Sequence, residues 1–353
     1  MNIILFGYPG TGKTTLFNLL TGAAGHGEGR KELNVRTRPL PDPRLDAIAA
    51  LTPEKKRIPA AVDVTDLAGI SFGEVKDSAF LSALRRADGL VHVVRGFEDA
   101  SRPHPRGRID PAGDIRFMEE ELILADLAMA VARIEKLNKD IKKKKDPEGE
   151  KELELLEKLR PLLEEGKRME ACPLAPAEKK LLGGFCFLSL KPILHAINVD
   201  EKDAAAIEET GDPFRLGSRA GDALAFCGSI ESEFLDLPEE EKKPFMDCYG
   251  LREPSAGRFL RRLPEFLGVL SFFTIGKDEV KAWMIGRGTT AVKAAGTIHS
   301  DIEKGFIRAE VVPEDVLLKH GSLAKAREAG AIRLEGRDYV VRDGDVIYFR
   351  FGQ

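Results

Sequence analysis

The chain has 353 residues, 43% of them hydrophobic and 32% charged, with a formal net charge of -4. That length predicts two domains or three, and the composition is ordinary globular, which leaves no large disordered class. So small a net charge excludes a whole-molecule field that would drive the chain onto nucleic acid or an anionic membrane, so any RNA contact must come from a local patch. Cys172, Cys186, Cys227 and Cys248 are scattered without metal-ligand or disulfide spacing and are expected to be reduced. The apolar run Asn2 to Phe6 is far too short for a signal-peptide core or a spanning helix, so the expected location is the cytoplasm, with no DNA and no membrane partner.

Short apolar runs bounded by turn residues predict strands at Asn2 to Phe6, Ala61 to Asp66, Gly89 to Val94, Pro192 to Asn198 and Leu224 to Ser229. Runs without polar alternation suit strands buried on both faces, and helices such as Thr14 to Leu20 and Ala79 to Ala87 fall between them. The expected fold class is α/β, a doubly wound parallel sheet. The first strand leads into Gly7-Tyr8-Pro9-Gly10-Thr11-Gly12-Lys13-Thr14, which satisfies the P-loop pattern G-x-x-x-x-G-K-[ST]. Glycines let backbone N-H groups turn toward phosphate, and the following helix adds the positive end of its dipole. Phosphate contacts are expected from Gly7, Pro9, Gly10, Thr11, Gly12, Lys13, Thr14 and Thr15. Lys13 is assigned to the β and γ phosphates and Thr14 to Mg²⁺.

The strand ending Asp63-Val64-Thr65-Asp66-Leu67-Ala68-Gly69 supplies D-x-x-G, with Asp66 for the magnesium shell and the Gly69 N-H for the γ-phosphate. Ile70 follows where Ras-like enzymes carry the glutamine that orients water. Hydrolysis therefore needs another polar group, a backbone-held water or a partner.

Between about Arg116 and Leu182 the pattern changes. Ile123, Leu127, Ala130, Ile134, Leu137 and Ile141 form one apolar seam, Asp146, Pro147 and Gly149 break it, and Leu156, Leu159 and Leu163 form a second. An antiparallel helical hairpin with Lys142 to Lys145 at its tip is predicted. Those lysines are a candidate phosphate-contacting patch, with a solvated helix end as the plainer reading.

Guanine-specific proteins close the next strand with N-K-x-D, whereas this chain has Asn198-Val199-Asp200-Glu201. Asn198 offers an amide that matches the adenine edge in two hydrogen bonds, or else ties the P-loop to this strand. Asn198, Val199, Glu201 and Ser229 are the expected base-side residues. From about Gly268, period-two alternation at Tyr339 to Val341 and Val346 to Phe351 predicts a half-buried, mixed or antiparallel sheet.

The N-x-x-E ending, the phrase R-A-D-G-L-V-H-V-V-R-G-F-E-D from Arg86 to Asp99 and P-D-P-R-L-D from Pro41 to Asp46 resemble the YchF, or Obg-like ATPase, family. The stretch from Ala282-Trp283 through R-G-T-T-A-V-K-A-A-G-T-I-H-S-D-I-E-K-G-F-I-R-A-E to D-G-D-V-I-Y-F-R-F resembles that family's TGS-type domain. The resemblance implies a cytosolic, Mg²⁺-dependent ATPase acting as a ribosome-associated or stress-related switch. It also implies a ubiquitin-like β-grasp terminal domain, with the hairpin and that domain contacting the ribosome or its RNA. The expected domains are residues 1-115 with 183-267, the hairpin insertion 116-182 and the terminal domain 268-353, in a monomer or weak oligomer. It further implies that His104 acts on the attacking water, with Lys13 as the other catalytic residue.

The chain departs from the family in its P-loop, usually G-L-P-N-V-G-K-S, and in the switch segment, where Gly25 to Lys31 replaces P-F-x-T-I. Thr37 is the nearest threonine, and Gly69 to Phe80 is shorter than the usual glycine-rich switch. Two alternatives stay open: a nucleotide-gated binding protein with negligible turnover, and an Obg-related GTP-binding protein.

Overall fold

A computed structural model describes residues 1-22, 34-69, 78-205 and 223-352. Gly25 to Lys31 and Ile70 lie outside the described residues. Among the described residues, two six-stranded sheets organise the fold. The strands in chain order are β1 Asn2–Phe6, β2 Asn34–Pro39, β3 Lys56–Ile58, β4 Ala61–Asp66, β5 Gly89–Gly96, β6 Ile193–Val199, β7 Ala223–Phe226, β8 Val269–Ile275, β9 Glu279–Gly286, β10 Phe306–Pro313, β11 Arg333–Glu335 and β12 Asp345–Phe351.

The first sheet has the order β2-β4-β1-β5-β6-β7, with parallel pairing of β4 to β1, β1 to β5, β5 to β6 and β6 to β7. All seven residues of β6 are buried, as expected for a strand covered on both faces. The predicted run Leu224 to Ser229 is cut short. It stops at Phe226, and Gly228–Asp236 forms a helix instead. The edge strand β2 escaped the sequence reading because its residues NVRTRP are polar and mostly exposed.

Helix α1 spans Lys13–Thr21, α2 Pro43–Ala50 and α3 Ser78–Arg86. The hairpin is α4, Pro111–Ile141, packed on α5, Pro147–Glu164. Its seam residues Ile123, Ala130, Ile134 and Leu137 pack with Leu155, Leu156, Leu159 and Leu163. Two details differ from expectation. α4 begins before Arg116, and Met118 and Leu122 belong to the core beside Phe6, Phe80 and Leu84. One helix therefore serves both the sheet and the hairpin. Asp146, Pro147 and Gly149 also do more than interrupt a helix. The Asp146 carboxylate accepts the Gly149 N-H at 3.0 Å with Pro147 in the first turn, which starts α5.

The second sheet has the order β11-β10-β12-β8-β9-β3. β8 and β9 form an antiparallel hairpin, β12 lies parallel to β8, and β10 runs antiparallel to β12 and β11. With the helix Ala291–Ile298 on one face, this is the mixed arrangement of a β-grasp. The sheet is not half-buried, however. Its other face carries a second cluster in which Leu45 and Ile48 of α2 pack on Phe273, Val280, Val312 and Val346. Tyr339 to Val341 makes no strand, only a bridge from Val340 to Thr290.

By contact the chain divides into two compact units, Met1–Arg36 with Asp63–Ser255, and Thr37–Val62 with Ala256–Gln353. By contact, residues 268-353 thus group with residues 256-267 and with a second segment, Thr37–Val62. The reason is β3, which adds to the sheet edge in parallel with β9, and α2, which covers the second face.

Candidate nucleotide site

The loop Gly7 to Gly12 joins β1 to α1. Gly12 caps α1 in the left-handed region, φ 95°, where a side chain is strained, and a Cβ there would also strike the Asn198 amide. The Leu16 N-H returns to the Gly12 carbonyl at 2.9 Å, so the helix begins against the loop. Thr14 Oγ1 donates to Asp66 Oδ2 at 2.8 Å, linking the P-loop helix to the end of β4. Lys13 Nζ donates to the Tyr8 carbonyl at 2.7 Å, and Thr11 Oγ1 donates to the same oxygen at 3.1 Å.

Burial lowers the Lys13 ammonium to about 8, against the pull of Asp66. Burial likewise raises the Asp66 carboxyl above its ordinary value, opposed by the Thr14 hydrogen bond and by Lys13. Gly69 lies over this group: a Cβ there would sit 2.9 Å from Lys13 Nζ and 3.0 Å from the Pro9 backbone. The cluster thus offers one cation, a hydroxyl and a carboxylate on one glycine-lined loop. A hydroxyl and a carboxylate oxygen are the hard donors that suit Mg²⁺.

A cleft of ≈ 260 Å³ opens at the ends of β5 and β6, walled by Phe97, Glu98 and Asp99 on one side and Asn198 to Glu201 with Ser229 on the other. Val199 is 2% exposed, and its side chain packs in the core with Ile197 and Ala225. Asn198 is 6% exposed. Its Nδ2 donates to the Thr11 carbonyl at 3.2 Å, and its Oδ1 accepts the Gly228 N-H at 2.9 Å. The amide therefore clasps the P-loop to the helix Gly228–Asp236. One Nδ2 hydrogen and one Oδ1 lone pair are what it has left for a base.

His104 is 7% exposed and turned inward. Its Nδ1 accepts the Arg106 N-H at 3.2 Å, which places the ring proton on Nε2, 2.9 Å from Asp114 Oδ2. Nε2 and Oδ2 meet the distance but not the alignment of a hydrogen bond, so this is a close polar contact rather than a well-aligned hydrogen bond. Arg106 also holds Asp114 at 2.9 Å, and burial raises the Asp114 carboxyl above its ordinary value. The His104 ring stands edge-on to Tyr8 of the P-loop, with centroids 6.1 Å apart. His92 and His195 are core residues, with Nδ1 atoms 3.3 Å apart between β5 and β6.

Several site residues escaped the sequence reading. Phe97, Glu98, Asp99 and Asp200 line the cleft, Asp114 holds His104, and Gly228 leaves room for Asn198, whose amide atoms would lie 3.0 and 3.1 Å from a Cβ there. Arg95 also went unremarked, though an arginine closing an apolar strand was a visible signal.

The parallel sheet, the loop between β1 and α1, and the Thr14-Asp66 link define a P-loop nucleoside triphosphatase of the GTPase-related class. Residues 2–125 match the family model MMR_HSR1, described as 50S ribosome-binding GTPase, and residues 269–352 match YchF-GTPase_C, described as a protein of unknown function (DUF933). The chain is 38% identical over 359 residues to "Ribosome-binding ATPase YchF" of Bacillus subtilis (strain 168), covering 98% of each chain. It is 33% identical over 364 residues to "Obg-like ATPase 1" of Caenorhabditis elegans, covering 99% of this chain and 92% of that one. The solved structure of the Schizosaccharomyces pombe YchF GTPase aligns with a TM-score of 0.81 at 25% identity, covering 99% of this chain and 97% of that one. The chain belongs to the YchF/Obg-like ATPase family.

Proposed function

We propose that this chain is a magnesium-dependent ATPase that cycles on and off the ribosome. The observation that carries the catalytic half is the 2.8 Å link between Thr14 and Asp66 beside the buried Lys13. Thr14 and Asp66 would hold Mg²⁺, which when bound neutralises phosphate charge. Lys13 leaves the Tyr8 carbonyl for the β and γ phosphates, Gly7 to Thr15 wrap the phosphate chain, and the Gly69 N-H faces the terminal phosphate. Adenine is favoured over guanine because Val199 and Glu201 replace the lysine and aspartate of the guanine clamp.

His104 is assigned to the attacking water, a role that requires its side chain to leave Asp114. The ribosome half rests on the relatives, which are named ribosome-binding ATPases, and on Lys142 to Lys145, all exposed where α4 turns to α5. The hairpin and the unit built on the second sheet are the proposed contact surfaces. The protein is expected to be cytoplasmic and monomeric or weakly associating.

Titration with ATP and GTP in the presence of Mg²⁺ tests the base assignment, and tighter GTP binding would sink it. Steady turnover abolished in Lys13→Ala supports the enzyme. Absence of turnover in the parent, with and without ribosomes, favours instead a nucleotide-gated binding protein, a reading motivated by the inward position of His104. An unchanged single-turnover rate in His104→Ala would remove that residue from the mechanism.

A further inference from the structure

Arg95, the penultimate residue of β5, pairs with Asn198 of β6, and it is 2% exposed. A buried guanidinium ordinarily takes a carboxylate partner, because removing the charge from water costs several kcal/mol unless it is compensated. Among the described residues no carboxylate bonds this one. Its donors converge instead on three main-chain carbonyls of a single loop: Nε on Phe97 at 3.0 Å, Nη2 on Asp99 at 3.3 Å and Nη1 on Arg102 at 2.7 Å. The Phe97 ring packs over the guanidinium, 4.7 Å from its carbon to the ring centroid. The group also approaches the P-loop, since a Cβ at Gly10 would lie 3.9 Å from Nη1. Lysine could not reproduce this arrangement, because one ammonium cannot span three carbonyls held by a planar fork.

The loop so gathered supplies Phe97, Glu98 and Asp99, the wall of the cleft that faces Asn198 to Glu201. We infer that Arg95 is a positioning residue for the nucleoside part of the ligand: it curls the 97-102 loop into a rigid wall and so sets base affinity without touching phosphate. The inference rests on reading that cleft as the base site. Without the guanidinium the loop must be ordered when the nucleotide binds, and that entropy is subtracted from affinity. Inorganic tripolyphosphate makes no use of the wall and avoids the cost. At the exposed end of the loop, Asp99 Oδ1 accepts the Ser101 N-H at 2.9 Å and the Ser101 hydroxyl at 2.6 Å, a turn that holds the same wall from outside.

The test is calorimetric titration of the full chain with ATP and with inorganic tripolyphosphate, both with Mg²⁺, in the parent, Arg95→Lys and Ser101→Ala. ATP affinity is expected to fall about tenfold in Arg95→Lys and about threefold in Ser101→Ala, with tripolyphosphate affinity held within about twofold. An equal loss for both ligands would make Arg95 a source of charge for phosphate and overturn the inference. So would an unchanged ATP affinity. If Arg95→Lys does not fold, Ser101→Ala decides on the same terms. Failure of the parent to bind either ligand would overturn the nucleotide reading itself, an outcome distinct from loss of the Arg95 effect alone.

Discussion

Lys13, the residue proposed to meet phosphate, is buried and bonded to the Tyr8 carbonyl. Desolvation sets its ammonium at about 8, below the unfolded value near 10.4, so the unfolded chain binds more protons between those limits. Stability therefore rises with pH across that window, and the buried charge costs most below about pH 8, roughly 3 kcal/mol as an upper figure. Lys13→Met is expected to be more stable than the parent at about pH 7, with the difference shrinking toward about pH 10. Urea unfolding of both proteins at the two pH values checks this, and a pH-independent difference would contradict it. Phosphate favours the charged ammonium, so ATP affinity should also weaken as pH rises past about 8.

At this scale the P-loop and D-x-x-G were legible because their backbone geometry demands glycine at fixed points and leaves a short, recognisable spacing. The fate of Asn198 was not. An amide offers the same groups to adenine as to a carbonyl and an N-H, and only the positions of Thr11 and Gly228 show which it meets.

Among the elements, α4 carries a fastening that the apolar pattern hides. Asp126 is 0% exposed, accepts Arg85 of α3 at 2.8 Å, and accepts the Ser189 N-H at 2.7 Å from the turn Leu188–Leu190. One carboxylate thus joins three elements where the hairpin leaves the sheet. Asp126→Ala takes the carboxylate from a part-buried guanidinium and leaves a buried N-H unpaired, and is expected to cost about 3 kcal/mol. The denaturation midpoint measures it, and coupling should appear as an Arg85→Ala, Asp126→Ala double variant that loses less than the sum of the single losses. The heptad-like seam announced the hairpin itself. Where α4 begins was less visible, because Met118 and Leu122 continue the same periodicity while facing a different core.

On the scale of the whole chain, the second unit is assembled from two segments far apart in sequence. Leu45 and Ile48 are fully buried against Phe273, Val280 and Val346, and Arg44 bonds Asp343 at 2.8 Å. Leu45→Ala is expected to cost roughly 3 kcal/mol and to raise amide exchange in β8 and β12 while leaving β1 and β5 protected. Uniform loss of protection in all four strands, or none in β8 and β12, would contradict the two-unit division.

Local rules decide whatever a short stretch must do alone: turn at a glycine, alternate in a strand, repeat along a helix seam, or present lysine and threonine after a phosphate loop. From them the α/β class, the helical hairpin and the P-loop between β1 and α1 could be read directly. Long-range packing decided the rest. That α2 and β3 join the second sheet, that Asn198 clasps the loop, that His104 turns toward Asp114 and that Arg95 gathers three carbonyls all depend on partners distant in the chain or on how a loop closes. A polar side chain carries the same donors and acceptors in any environment, so its role is set only when the fold chooses what stands beside it.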